Sequence, residues 1–326
     1  MVRVSREDFS VAAATNDSAY RRVTVPVLRI EAGPGPAVAL IAGVHGDEWE
    51  GQAAILDLWR QLPGMLQHGT VYLLPAVNAE ASLAGTRLSP SDGGNLNRAF
   101  LGAPARGYTE SVAAALEARL LPRIQAMVDV HSGGASLCYL PSSVITRYGN
   151  DAYDERLPAL ARAFGFPDCV FFRGNEAGSM PAAASRHGVL RLSAEIGGGR
   201  QTRGALVDGC RDGLLGCLAE LGLLPASPVP ANRDVRLYDL DAPAATLRAG
   251  EPGVFVPGVE LGQVVTADQP IGRLIEPARP DIPARPLYAP QAGTVVCLRA
   301  IARSDDGDCL LQVAPALPLD SLASKY

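Results

Sequence analysis

Apolar residues along this chain follow two alternating rhythms. Residues 37–44 (Ala-Val-Ala-Leu-Ile-Ala-Gly-Val) and 71–77 (Val-Tyr-Leu-Leu-Pro-Ala-Val) are short, almost unbroken apolar runs closed by turn residues, the pattern of strands buried on both faces. Residues 126–130 and 189–194 repeat it. Between them, Ala54, Ile55, Leu58 and Leu62 recur at helical spacing over 47–62, and Val112, Leu116, Leu120 and Ile124 over 110–124, with Trp49 and Trp59 assigned to packing. Strand and helix in alternation predict an α/β domain built on a mostly parallel mixed sheet flanked by helices. Ligands of such sheets collect at the carboxyl ends of the strands. Here those ends are marked by His45, Asn78, His131 and Glu195.

After Leu224 the texture changes. Pro225, Pro228 and Pro230 mark a linker, and helical periodicity fades beyond it. The expected division is a catalytic domain over 1–228 and a C-terminal all-β domain over 229–326, starting near Val229. Residues 250–276 and 286–314 each place a Pro and a Gly ahead of a valine-rich run (254–259 and 289–296), as in two related halves of a β-sandwich. The arrangement is similar to the lipoyl/biotinyl barrel-sandwich. A carrier role there needs a lysine on an exposed hairpin, and Lys325 sits on the tail.

At 326 residues the chain is long enough for two cores. Its longest unbroken apolar run, Ala37 to Ala42, falls far short of the roughly 20 residues a membrane-spanning helix needs. The opening Met-Val-Arg-Val-Ser-Arg-Glu-Asp has no apolar stretch of the signal-peptide kind, so a cytoplasmic location is expected. A net charge of −5 without any basic run argues against nucleic acid and favours a small-molecule partner. Having no interior lysine excludes P-loop and Schiff-base chemistry. The six cysteines form no CxxC pair and read as buried thiols. A homo-oligomer is expected on general grounds only.

The sharpest chemical signal is Gly43-Val44-His45-Gly46-Asp47-Glu48. A histidine and a glutamate three residues apart, where a strand gives way to a helix, can face one point. Zinc accepts imidazole nitrogen and carboxylate oxygen, and a catalytic site takes three protein ligands plus water. The third is expected at His131, where a buried strand meets the turn Ser132-Gly133-Gly134. His68 lies in a polar loop and reads as surface, and His187 is a weaker spare.

Between these segments runs Ala84-Gly85-Thr86-Arg87-Leu88-Ser89-Pro90-Ser91-Asp92-Gly93-Gly94-Asn95-Leu96-Asn97-Arg98, too rich in Gly, Ser and Pro for regular structure. With this segment, GVHGDE, DVHSGG and a later AEIGGG, the chain resembles the succinylglutamate desuccinylase/aspartoacylase family, relatives of zinc carboxypeptidases. The order of motifs matches over about residues 25–200, and the β-rich tail resembles that family's C-terminal domain. The phrases AGTRLSPSDGGNLNR and DVHSGGASLCYLPS are most similar to the branch that deacetylates N-acetyl-diaminobutyrate in ectoine breakdown. The resemblance implies one zinc ion per chain held by His45, Glu48 and His131. It implies that Arg87 polarises the scissile carbonyl, that Asn97 and Arg98 grip the substrate carboxylate, and that Glu195 is the general base. One departure is Leu101, where the family usually has proline, a change expected to affect loop stiffness rather than chemistry.

The residue chemistry suits those roles, since a carboxylate beside an acidified water can take its proton and return it to a leaving amine. An arginine fork with an asparagine amide fits an amino-acid carboxylate. Plainer alternatives are a salt-bridged Arg87, a helix-capping Asn97 and an ordinary strand-end Glu195. Tyr139 and Tyr288 are candidate phenol donors to substrate, and Gly197 to Gly199 either admit substrate to the backbone or simply turn the chain. The expected activity is zinc-dependent hydrolysis of a linear amide in a small N-acyl amino acid such as N-acetyl-diaminobutyrate, with acetyl the expected acyl group. The alternatives are a carboxypeptidase acting on small peptides and, in another class, a metal-binding protein without catalysis.

Overall fold

A computed structural model describes residues 2–15, 18–102, 104–149, 151–174, 176–227, 230–232 and 234–322. Val229, the expected start of the second domain, and Lys325 lie outside the described residues.

The expected centre is present. Strand Ala37–Ala42 pairs in parallel with Thr70–Leu74 on one side and Ala126–His131 on the other, and Leu190–Gly198 adds a fourth parallel strand beyond that. Side chains along the first of these alternate between two cores. Val38, Leu40 and Ala42 enter a cluster with Ile55 and Leu58 of helix Glu50–Gln61 and Leu214 of helix Gly204–Glu220. Ala39 and Ile41 enter a second cluster with Val112 and Leu116 of helix Tyr108–Arg119. Burial on both faces explains the unbroken apolar runs.

Outside this parallel core the sheet turns antiparallel. Leu137–Arg147, an eleven-residue strand, pairs antiparallel with Leu190–Gly198 on one edge. Its other neighbours are Asp168–Arg173, in parallel, and Gly293–Arg299, antiparallel. Among the described residues the C-terminal part is built of strands, as expected, apart from the short 3-10 turns Pro243–Ala245 and Leu319–Ser321. Strands Gly253–Pro257, Pro270–Ile275, Arg285–Tyr288 and Arg303–Ser304 form a four-stranded sheet. It packs through Phe255, Ile271 and Leu274 onto Val295, Leu311 and Val313 of strands Gly293–Arg299 and Cys309–Ala314. These last strands continue the large sheet, and Arg236–Asp239 joins it too, in parallel with Asp168–Arg173. The architecture is therefore mixed α/β with a parallel centre, extended by antiparallel C-terminal strands. Among the described residues no helix is long and apolar enough to cross a membrane.

Candidate active site

The strand ends converge as expected. His45 follows Ala37–Ala42 in a turn made possible by two glycines. Gly43 adopts φ +72°, and Gly46 packs so closely on helix Ala79–Ala84 that a Cβ would lie 1.9 Å from the Ala81 carbonyl carbon. The Gly46 amide donates to the Thr86 carbonyl at 2.9 Å, which ties this turn to the loop carrying Arg87. His131 is the last residue of its strand and Glu195 lies beside it in register on the next.

His45, Glu48 and His131 are 3%, 3% and 6% exposed, and one ligand atom from each lies within 4.8 Å of the others. Both histidines turn Nδ1 toward the Glu48 carboxylate, His45 at 2.8 Å to Oε1 and His131 at 2.9 Å to Oε2. Their Nε2 atoms are held from behind, by Asn95 Oδ1 at 3.2 Å and Asp129 Oδ2 at 3.2 Å. Fixing one ring nitrogen by an outer acceptor so that the other faces a common point is the usual support of a metal-binding histidine. The donor set, two imidazoles and a carboxylate, therefore fits a divalent metal ion.

Electrostatics match this packing. Burial raises the Glu48 pKa, but the charges of His45 and His131 and their hydrogen bonds outweigh it and leave it at about 2. Burial lowers that of His131, but Asp129 and Glu48 more than compensate and hold it well above the ordinary range. Glu195 goes the other way. Burial and then repulsion from Glu48 push it up to about 8 against the pull of His131 and Arg87, and its Oε2 is buried without a hydrogen-bond partner. So raised, the Glu195 carboxyl holds its proton near neutral pH, and a cation held by the adjacent histidine–glutamate–histidine group would favour its ionised, proton-accepting form.

These residues line one cleft of about 490 Å³, together with Arg87, Asn97, Arg98 and Tyr139. Arg87 donates to Glu48 Oε1 at 3.2 Å and is half exposed. Asn97 Oδ1 accepts from the Met180 amide at 3.0 Å, so its carbonyl end serves helix Met180–Arg186 while the residue still borders the cleft. Arg98 pairs with Glu176 at 2.7 Å, both half exposed. Burial, Cys297 and Glu195 push the Tyr139 hydroxyl well up, and Cys297 is its register partner on a C-terminal strand. Tyr288 is half exposed on the four-stranded sheet and is not among the residues lining the cleft. His68 is exposed, and His187 lies 3.8 Å from Glu117, away from the metal group. Gly197, Gly198 and Gly199 have φ values of +70°, +123° and +68°; a Cβ on Gly198 would lie 2.3 Å from the Leu137 carbonyl oxygen. They let the turn after His131 pack against the Glu195 strand.

Sequence reading passed over Asn95, Asp129, Asp47, Arg191 and Ser193. Asp47 Oδ2 accepts from the Ala135 amide at 2.8 Å and so braces that turn. Asp129 and Ser193 each lie two residues before a recognised site residue on a strand, a period that puts both on the site face. Asn95 lay inside the quoted Asn-Leu-Asn-Arg run but signalled nothing by itself.

A family model described as the succinylglutamate desuccinylase/aspartoacylase catalytic domain matches residues 34–221. The chain is 30% identical over 303 residues to N-alpha-acetyl-L-2,4-diaminobutyric acid deacetylase of Halomonas elongata, covering 92% of this chain and 88% of that one. Among solved structures, the product-bound ectoine utilization protein EutE of Ruegeria pomeroyi matches with a TM-score of 0.89 at 28% identity, over 96% of this chain and 95% of that one. A succinylglutamate desuccinylase/aspartoacylase from Rhodobacter sphaeroides matches with a TM-score of 0.88 at 30% identity, over the same shares. With the motifs and the cleft on the same strand ends, these matches establish that the chain belongs to the succinylglutamate desuccinylase/aspartoacylase family of amide hydrolases.

Proposed function

We propose that this enzyme is a zinc-dependent amidohydrolase that removes an acyl group, acetyl first of all, from a small N-acylated amino acid such as N-acetyl-diaminobutyrate. The observation that carries the reading is the convergence of both Nδ1 atoms on Glu48, beside the unpartnered Glu195 oxygen, in one cleft with Asn97 and Arg98. The name of the Halomonas relative supports the choice of substrate.

When bound by His45, Glu48 and His131, zinc supplies Lewis acidity to a water and to the scissile carbonyl. Arg98, released from Glu176, meets the substrate carboxylate through its planar fork, and Asn97 adds its amide donor. Arg87 offers its guanidinium to the carbonyl oxygen as charge gathers there. Glu195 takes a proton from water as the new carbon–oxygen bond forms, then gives it to the amide nitrogen as the carbon–nitrogen bond breaks. The products are the free carboxylate and the amine.

The test is a panel of N-acetyl, N-succinyl and N-formyl amino acids and C-terminal dipeptides, offered to zinc-loaded protein and to Glu195→Gln. We expect N-acetyl-diaminobutyrate to lead and the variant to bind zinc normally while turnover falls by orders of magnitude. A preference for dipeptides would make the enzyme a carboxypeptidase. Full activity in Glu195→Gln would remove its assigned role, and a bound metal without any turnover across the panel would favour a non-catalytic metal protein.

A further inference from the structure

Beneath the metal group lies a buried arginine that the reaction above does not use. On strand Leu190–Gly198, Leu190, Leu192, Ala194 and Ile196 enter the helix-covered core, so the alternate residues Arg191, Ser193 and Glu195 face the cleft. The parallel neighbour Ala126–His131 presents Asp129 opposite Ser193 and His131 opposite Glu195. Arg191 therefore stands diagonally below Asp129, and Nη2 donates to Asp129 Oδ2 at 2.7 Å. The same Oδ2 meets His131 Nε2 at 3.2 Å, and His131 Nδ1 faces Glu48 Oε2 at 2.9 Å. Three contacts thus run in series from the arginine to the metal group. The Arg191 side chain is 7% exposed and that of Asp129 is fully buried.

We propose that Arg191 is a positioning residue for the metal centre: by holding the Asp129 carboxylate it fixes the ring of His131 and so sets the affinity for the metal. The inference rests on the metal reading above. Two further observations support it. Ser193 Oγ donates to the Asp129 carbonyl at 2.6 Å, so Asp129 is pinned from the same strand at its backbone as well as its side chain. Asp129 Oδ1 and Arg191 Nε are both buried without partners, one spare acceptor and one spare donor on the same pair. That leaves room for a second, parallel bond and spends the guanidinium on Asp129 rather than on substrate.

The experiment measures zinc affinity by chelator competition on the whole protein, with KM and thermal stability measured alongside. For Arg191→Met we expect zinc binding about 10-fold weaker, the lower end of the roughly 10- to 100-fold range for a direct outer partner of a metal-ligating histidine, because Arg191 acts through Asp129. At saturating zinc its KM should stay unchanged, and with cobalt in place of zinc its visible bands should shift. Arg191→Lys keeps a donor on Asp129 and should recover most of the affinity. Asp129→Asn should weaken zinc binding on its own, and adding Arg191→Met to it should cost no more. That double variant carries no unpaired buried carboxylate, so it serves if the single variant does not fold. Zinc affinity within about twofold of wild type in Arg191→Met, or a double variant additively weaker than Asp129→Asn, would overturn the inference. A raised KM at unchanged zinc affinity would instead make Arg191 a substrate contact. Wild-type protein that takes up no zinc would defeat the metal reading itself.

Discussion

The two ends of the cleft are built differently. His45, Glu48 and His131 are nearly buried, start from strand ends, and have each outer imidazole nitrogen held by a second side chain. Asn97 and Arg98 sit on a short 3-10 turn in a Gly-rich loop, and the Arg98 guanidinium is half exposed against an equally exposed Glu176. Pre-organised groups act at once but cost stability to assemble, whereas loop groups adapt to a ligand and pay in ordering entropy. On the proposed reading the chemistry is thus fixed in the sheet, and recognition is left to a loop.

If the metal end is rigid in this sense, breaking it should have the largest effect. His131→Ala removes one of the three candidate ligands and takes a hydrogen bond from each of two buried carboxylates, leaving Asp129 to Arg191 and Glu48 to His45, Arg87 and the Ser132 amide. Zinc affinity should fall by more than the roughly 100-fold typical of outer partners, and turnover should vanish. Chelator competition on folded protein checks this, and a variant that keeps wild-type affinity would dissolve the contrast between the two ends.

The next effect concerns the cost of assembly. The carboxyl of Glu195 titrates at about 8 in the metal-free fold against an ordinary 4.5. Between those values the folded chain holds a proton that the unfolded chain has released, so stability is fullest below 4.5 and falls as pH rises through 8. Glu195→Gln has no proton to lose. Metal-free variant and wild type should melt alike near pH 5, while at pH 9 the variant should melt several degrees higher. Wild-type zinc protein should show less of this loss, since a cation favours the ionised carboxyl. Equal melting curves at pH 9 would mean that Glu195 is not strained by its surroundings.

At the loop end, Arg98→Ala should raise KM about 10- to 100-fold with kcat nearly kept, since a charge-assisted hydrogen bond contributes about 1.5–3 kcal/mol and this one is partly solvated. Arg98→Lys should fall between, because a single ammonium cannot reproduce the fork. A collapse of kcat instead of KM would place Arg98 with the chemical end.

The same division governs what was legible in the sequence. Parallel strands buried on both faces leave unbroken apolar runs, and candidate ligands of distinctive chemistry follow them, so the sheet centre and the convergence of His45, Glu48 and His131 could be read. Leu137–Arg147 could not, because its Leu-Cys-Tyr-Leu-Pro-Ser-Ser start has no period and is defined by long-range pairing with other strands. Helix Gly204–Glu220 carries Gly209, Gly213 and Gly216 in its interior, each costing about 1 kcal/mol against alanine. Close packing explains two of them: a Cβ on Gly216 would lie 2.0 Å from the Ala163 carbonyl oxygen, and one on Gly213 would lie 2.7 Å from the Phe164 ring. Local propensity hides such a helix. Asn95 and Asp129 were likewise invisible as supports because their meaning depends on which ring nitrogen lies 3.2 Å away.

The smallest prediction separates the two ends most finely. Glu176 occupies the guanidinium that a substrate carboxylate would need, yet the pair is half exposed on both sides. Such pairs contribute about 0.2–1 kcal/mol, so Glu176 should be a weak competitor and not a lock. Glu176→Gln keeps the shape and removes the charge. Its KM should fall by about two- to fivefold, the same free energy returned as affinity, while kcat and zinc binding stay unchanged. Raised salt should shrink the difference, because screening already weakens the pair in wild type. If KM rises instead, Glu176 contributes to the substrate site, and the loop end is as pre-organised as the metal end.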